Sequence, residues 1–155
     1  MAESWDGRAS PGTPGRYRAA RAAGNGLPFD RLQFDVVAAP SQLFEVRRRL
    51  ERWAQAGGLG EELVEVMVFA VNEAVTNAVE HAYPDAVGHV WITAEHTVSG
   101  NLVLEVSDTG QWRPQPADTG FRGRGLMLLD HLADELELSS SAAGTRVRLG
   151  WRLPR

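Results

Sequence analysis

Residues 61–82 read EELVEVMVFAVNEAVTNAVEHA. No Gly or Pro interrupts the run before Pro84, and Glu61 and Glu62 stand in the first turn, where negative charge suits the helix dipole. One long helix is predicted. Val64, Val68, Val71, Val75, Ala78 and Ala82 form a continuous apolar stripe, while Val66, Phe69 and Ala70 make the early part of the opposite side apolar too. Its first half should be buried almost all round. Later on that opposite side come Glu73, Asn77 and Glu80, which cluster within about one-sixth of a turn at 100° per residue. A polar patch that follows a buried stretch on one face is the pattern of a pocket floor.

Upstream, Phe34 and Val36 alternate with Gln33 and Asp35 as in a half-buried strand, and residues 41–56 repeat apolar side chains at three- and four-residue steps. The second segment reads as an amphipathic helix capped by Ser41 and ended by Gly57-Gly58, with Arg47-Arg48-Arg49 on its solvated face. Downstream, residues 89–97 and 101–107 read as a hairpin across Ser99-Gly100. Residues 109–123 read as a long functional or mobile loop, residues 124–134 as a short helix, and the end as a second hairpin turning at Gly144. The last strand has Val147, Leu149 and Trp151 on one face and Arg146, Arg148 and Arg152 on the other. This order implies a two-layer α/β (α+β) sandwich: one mixed, mostly antiparallel sheet covered by helices on a single face.

A chain of 155 residues is long enough for one domain with a hydrophobic core, here expected over residues 31–153. Residues 1–30 read as a flexible, disordered leader, since they contain Ser10-Pro11-Gly12-Thr13-Pro14-Gly15 and little apolar periodicity. Residues 1–29 carry four Arg against Glu3 and Asp6, so a net charge of −4 for the chain leaves −6 on the rest. Nucleic acid is a poor partner for such a surface. No cysteine is present, which removes disulfides and thiolate chemistry and fits a reducing compartment. A cytoplasmic location without membrane association is the expectation.

Four elements carry possible chemistry: Glu73-x-x-x-Asn77 on the long helix, Asp108-Thr109-Gly110 after a strand, Gly123-Arg124-Gly125-Leu126 opening a helix, and Gly144-Thr145 entering the last strand. Each is weak by itself. A Glu and an Asn one turn apart are usually a surface pair, and Asp-x-Gly is a common turn. Backbone N–H groups at a glycine-rich helix start can also receive a phosphate.

In this order and in these settings the four elements resemble the nucleotide-binding boxes of the histidine-kinase-like (GHKL) ATPase superfamily. Residues 72–83, NEAVTNAVEHAY, closely resemble the first box of anti-sigma-factor serine/threonine kinases of the RsbW and SpoIIAB type. The likeness runs from about Phe34 to Trp151. It implies the Bergerat-type ATP-binding fold, with ATP between the long helix, the loop and the sheet. Asn77 would hold Mg²⁺ through its amide oxygen, and Glu73 would be the general base for an attacking hydroxyl. Asp108 would accept a hydrogen bond from the adenine amino group, supported by Thr145, and Gly110 would keep the adenine edge clear. Gly123, Gly125 and the Leu126 turn would offer backbone amides to the phosphates, and Arg122 or Arg124 would add charge there. His81 and Tyr83 match the end of the first box without acquiring a chemical role, and Trp112 falls near the adenine end.

The same resemblance implies a partner switch: phosphorylation of an anti-anti-sigma (STAS-type) antagonist and sequestration of a sigma factor, with a homodimer as the implied assembly. Two other readings compete. One is an ATP-binding interaction module without kinase activity, because nucleotide binding and phosphoryl transfer need different residues. The other takes Asp108-Thr109-Gly110 as the turn of a retroviral-type aspartic protease, which the long helices disfavour.

Overall fold

Period-two alternation of apolar residues over five segments yields five strands in the computed structural model, which describes residues 31–83, 87–110 and 124–153. For His81 and residues 124–127 only the backbone is described. The expected leader and residues 111–123 of the expected long loop lie outside these residues.

The elements run β1 (Leu32–Val37), a 3₁₀ turn (Pro40–Gln42), α1 (Leu43–Ala56), α2 (Glu61–Asn77), a π-helical turn (Ala78–Ala82), β2 (His89–His96), β3 (Asn101–Asp108), α3 (Arg124–Leu132), β4 (Glu135–Ser141) and β5 (Gly144–Arg152). The strands form one sheet in the order β1-β2-β3-β5-β4. Every pairing is antiparallel, so the parallel component allowed for in a mixed sheet is absent among the described residues. These helices also dispose of the nearly all-strand protease fold.

Register sorts the inward side chains into rows across the sheet. Leu32, Ala94, Leu104, Leu149 and Leu136 make one row, and Phe34, Ile92, Val106, Val147 and Leu138 the next. Nearly all are buried, whereas Arg146, Arg148 and Arg152 on the other face of β5 are exposed. Helices therefore cover a single face, and the opposite face meets water. The third row reads Val36, Val90, Asp108, Thr145 and Ser140, so its inward positions turn polar at β3 and β5.

The expected long helix supplies the centre of the core. Leu63, Val64, Val66, Met67, Val68, Ala70 and Val71 are all buried, because α2 packs against β3 as well as against α1 and α3. A helix apolar on both sides requires a partner on both sides. The helix α1 ends where Gly57-Gly58 was expected to end it: Gly58 takes φ 69°, Leu59 N–H bonds Ala54 O, and Gly58 N–H bonds Gln55 O. This pair of bonds satisfies the last carbonyls of the helix, and Gly tolerates the left-handed conformation that the reversal needs.

Two local expectations are corrected. Ser41 caps nothing; it lies inside the 3₁₀ turn, and α1 starts at Leu43 without a side-chain cap. Pro40 fixes the backbone for that turn, and Gln42 N–H bonds Ala39 O, so a backbone bond replaces the expected hydroxyl. The long helix is α-helical only to Asn77, after which a π turn carries it to Ala82. The wider turn offsets Glu80 from the face of Glu73 and Asn77, and Glu80 is exposed.

The C-terminus of α3 is tied to the last strand. Trp151 Nε1 donates to Leu132 O at 2.9 Å, and Asp134 Oδ2 accepts from the Arg152 amide at 2.7 Å. These bonds meet the hydrogen-bonding need of a buried indole and of a helix end together.

Candidate functional site

Where the third inward row becomes polar, α2 presents Asn77 between Ala74 and Ala78. The small alanine side chains leave room above the sheet, and a small cleft forms there. It is lined by Ala74, Asn77, Ala78, Val106, Asp108, Leu138, Thr145 and Val147. Asn77, Asp108 and Thr145 come from three elements far apart in sequence and meet in one place.

Asp108 is held by backbone. Its Oδ1 accepts the Gly110 N–H at 3.0 Å and the Thr145 N–H at 3.3 Å. Both bonds fall on one oxygen, so among the described residues Oδ2 is left for a donor from outside the protein. Burial pushes the Asp108 carboxyl above its ordinary value, against the opposing pull of the Gly110 and Thr145 amides. Beside it, Thr145 Oγ1 is buried without a hydrogen-bond partner. A buried hydroxyl usually has one, so its solitude points to a group that arrives with a ligand or a water.

Gly144 and Gly110 frame this carboxylate for different reasons. Gly144 takes φ 133° with its Cα against the Asp108 carbonyl, a conformation and a proximity that exclude a side chain. The bare Cα of Gly110 packs on the Ala82 carbonyl, so contact with the π turn is itself sufficient reason for glycine there. Glu73 lies one turn before Asn77 and is half-buried, but it does not line the cleft. Among the described residues, neither Glu73 nor Asn77 has a side-chain hydrogen bond or ion pair, so neither is occupied in holding the fold.

Arg122 and Gly123 fall outside the described residues. Arg124, Gly125 and Leu126 form the first turn of α3, described by its backbone. Among the described residues no three His, Cys, Asp or Glu side chains converge as a metal cage. A Mg²⁺ at Asn77 would accordingly take its remaining oxygens from phosphate and water, the usual arrangement for this ion. The orphaned Thr145 hydroxyl, the free Asp108 oxygen and the uncommitted Asn77 amide fit a nucleotide with its metal.

A family model of the histidine kinase-like ATPase domain matches residues 36–151. The chain belongs to the histidine kinase-like ATPase family. Within this family it is similar to the serine-protein kinase RsbW of Oceanobacillus iheyensis, at 30% identity over 127 residues, covering 72% of this chain and 80% of the relative. RsbW of Listeria monocytogenes is 30% identical over 125 residues, covering 70% of this chain and 79% of that one. Among solved structures, the RsbU and RsbW domains of a Mycobacterium tuberculosis protein align at TM-score 0.67 and 29% identity. That alignment covers 82% of this chain and 33% of the larger protein.

This histidine kinase-like ATPase domain has one participant that sequence reasoning left without a role. The Tyr83 hydroxyl donates to His89 O at 2.8 Å and accepts the Thr109 N–H at 3.0 Å, bonding the end of the π turn to the Asp108–Gly110 turn. No sequence signal separates such a tyrosine from a core aromatic, because two of its three partners are backbone atoms. The apolar walls Val106, Val147 and Leu138 were recoverable in principle from strand alternation. Among the described residues no helix of the ATPase domain is long and apolar enough to cross a membrane.

Proposed function

We propose that this chain binds Mg²⁺-ATP in the cleft and transfers the γ-phosphoryl group to a Ser or Thr hydroxyl of a protein partner. The observation that carries the reading is the meeting of Asp108, Thr145 and Asn77 around one cleft, with a spare carboxylate oxygen and an unpartnered buried hydroxyl. Family membership and the serine-protein kinase relatives support the reaction type.

In this reading Asp108 Oδ2 accepts a hydrogen bond from the adenine amino group, and Thr145 Oγ1 completes the contact directly or through water. Gly110 maintains the turn that aims the carboxylate. Asn77 would hold Mg²⁺ through its amide oxygen; when bound, the ion would offset negative charge on the phosphates. Gly123 and Gly125, with the turn through Leu126, offer backbone amides to the phosphate oxygens, and Arg122 or Arg124 adds charge. Glu73 takes the proton of the attacking hydroxyl. The acceptor oxygen bonds to the γ-phosphorus as the bond to the β–γ bridging oxygen breaks and ADP leaves.

The acceptor proposed is an anti-anti-sigma (STAS-type) antagonist, and the alternate partner a sigma factor. A phosphate adds roughly −1.5 to −2 charge at neutral pH, enough to break an interface and free this protein for the other partner. We assign the switch to a cytoplasmic protein, with a second copy as a further partner. The test is calorimetric titration of ATP with Mg²⁺ on the wild type and on Asp108→Asn, followed by phosphate transfer to a purified antagonist. Asparagine keeps an oxygen for the Gly110 and Thr145 amides but loses the charge. ATP affinity is expected to fall several-fold in the variant while staying measurable; no binding by folded wild type refutes the reading.

One observation favours a second reading, a nucleotide-holding interaction module without transfer: Glu73 is absent from the cleft lining. Bound ATP that remains intact in the presence of each partner would decide for that module.

A further inference from the structure

The Tyr83 hydroxyl has the most complete set of polar contacts near the cleft. A phenol has one hydrogen to give and two lone pairs to fill. The hydrogen goes to His89 O at 2.8 Å, one lone pair takes the Thr109 N–H at 3.0 Å, and Thr109 Oγ1 stands at 3.2 Å to donate to the other. With its capacity filled by the protein, this oxygen is a fastening rather than a reactive group. The ring is fastened as well, since it lies so close over Gly88 that a side-chain carbon there would strike it.

We propose that Tyr83 is a positioning residue for purine selection, fixing through Thr109 the turn whose Gly110 amide orients the Asp108 carboxylate. The proposal rests on reading the cleft as an adenine site. The linkage is a short path: Tyr83 Oη to Thr109 N, along one peptide to Gly110 N, then 3.0 Å to Asp108 Oδ1. The other side of the turn is set by the same segment, because Gly110 rests on the Ala82 carbonyl next to Tyr83. The end of the π turn thus holds two consecutive residues, Thr109 by hydrogen bonds and Gly110 by contact. Without the phenol oxygen, Thr109 keeps its amide and hydroxyl but loses their common anchor. The Gly110 amide is then free to drift from Oδ1, and the carboxylate loses one of its two donors.

Calorimetric titrations of ATP and of inosine triphosphate, which carries a 6-oxo group where ATP has the amino group, test this on the wild type, Tyr83→Phe and Thr109→Ala. Tyr83→Phe should weaken ATP binding by about five- to tenfold, as expected for one or two lost hydrogen bonds, while changing inosine triphosphate binding less than about twofold. The preference for ATP therefore contracts. Thr109→Ala removes one of the three contacts without touching the ring, so it should contract the same ratio by a smaller factor. An unchanged ratio overturns the proposal, even where both affinities fall together, because a merely structural tyrosine would act on both nucleotides alike. If Tyr83→Phe does not fold, an unchanged ratio in Thr109→Ala is equally decisive. A wild type that binds both nucleotides equally, or neither, refutes the adenine reading itself and this proposal with it.

Discussion

The two halves of α2 and its π extension face the same sheet and are built on different terms. From Leu63 to Val71 almost every side chain is buried, and Met67 is sealed completely. From Glu73 to Asn77 the polar side chains are half-buried and, among the described residues, have no bond to the protein. The first half is determined by contacts the chain makes with itself. The second is left incomplete by them, and the cleft opens there because Ala74 and Ala78 supply too little volume to fill the space. A sealed stretch and an open one thus share one rod, with a single residue, Asn72, between them.

This division can be broken by experiment. Glu73→Gln should lower phosphate transfer to the antagonist by about a hundredfold or more, the usual scale for loss of a general base. ATP affinity and melting temperature should hardly move, and a variant that transfers at full rate removes Glu73 from the reaction. Met67→Ala, in the sealed half, should do the reverse. It should destabilise the fold by about 2–5 kcal/mol in urea unfolding, while the folded fraction binds ATP as the wild type does. Loss of ATP affinity in fully folded Met67→Ala would show that the halves are not independent.

Asn77→Ala should weaken Mg²⁺-dependent ATP binding roughly tenfold, as loss of a metal-held contact would. Affinity measured with excess chelator should stay within about twofold of wild type. An unchanged Mg²⁺ dependence would place the ion elsewhere.

The smallest effect sharpens the comparison through pH. Burial raises the Asp108 carboxyl above its ordinary value, so protonation occurs at higher pH in the fold than in the unfolded chain. Ionised Asp108 therefore disfavours the fold. Its relative stabilisation is fully present below the unfolded value and is lost as pH rises through the folded one. In the proposed reading binding has the opposite sign, because only the carboxylate would accept from adenine without a competing proton. ATP affinity should fall by a few-fold as pH drops through the raised value, beyond any change seen in Asp108→Asn, where the nucleotide titrates identically. Parallel profiles for the two proteins would exclude the carboxylate from binding.

Legibility follows the same division. The two-sided burial of α2, the strand alternation and the Gly57-Gly58 stop were readable because each depends on side-chain polarity or on a glycine at a fixed spacing. Asn77, Asp108 and Thr145 were readable as a set through resemblance to a family, and register explains their meeting: Asp108 pairs with Thr145 on adjoining strands. The π turn, the unused Ser41 and the Tyr83 fastening were not readable. They depend on backbone geometry and on the proximity of Ala82 to Gly110, which leave no periodic trace.

Strand β5 lies between β3 and β4, although it is the last of the five in the chain. During synthesis, β3 must therefore wait with one edge bare while α3 and β4 are made, and an unpaired edge invites association with other chains. Thr145 arrives only with that final strand, so a growing chain has no complete cleft until its sheet closes. In the proposed reading, nucleotide capture would therefore require an inserted β5, and ligand added during translation would favour chains whose sheet has closed.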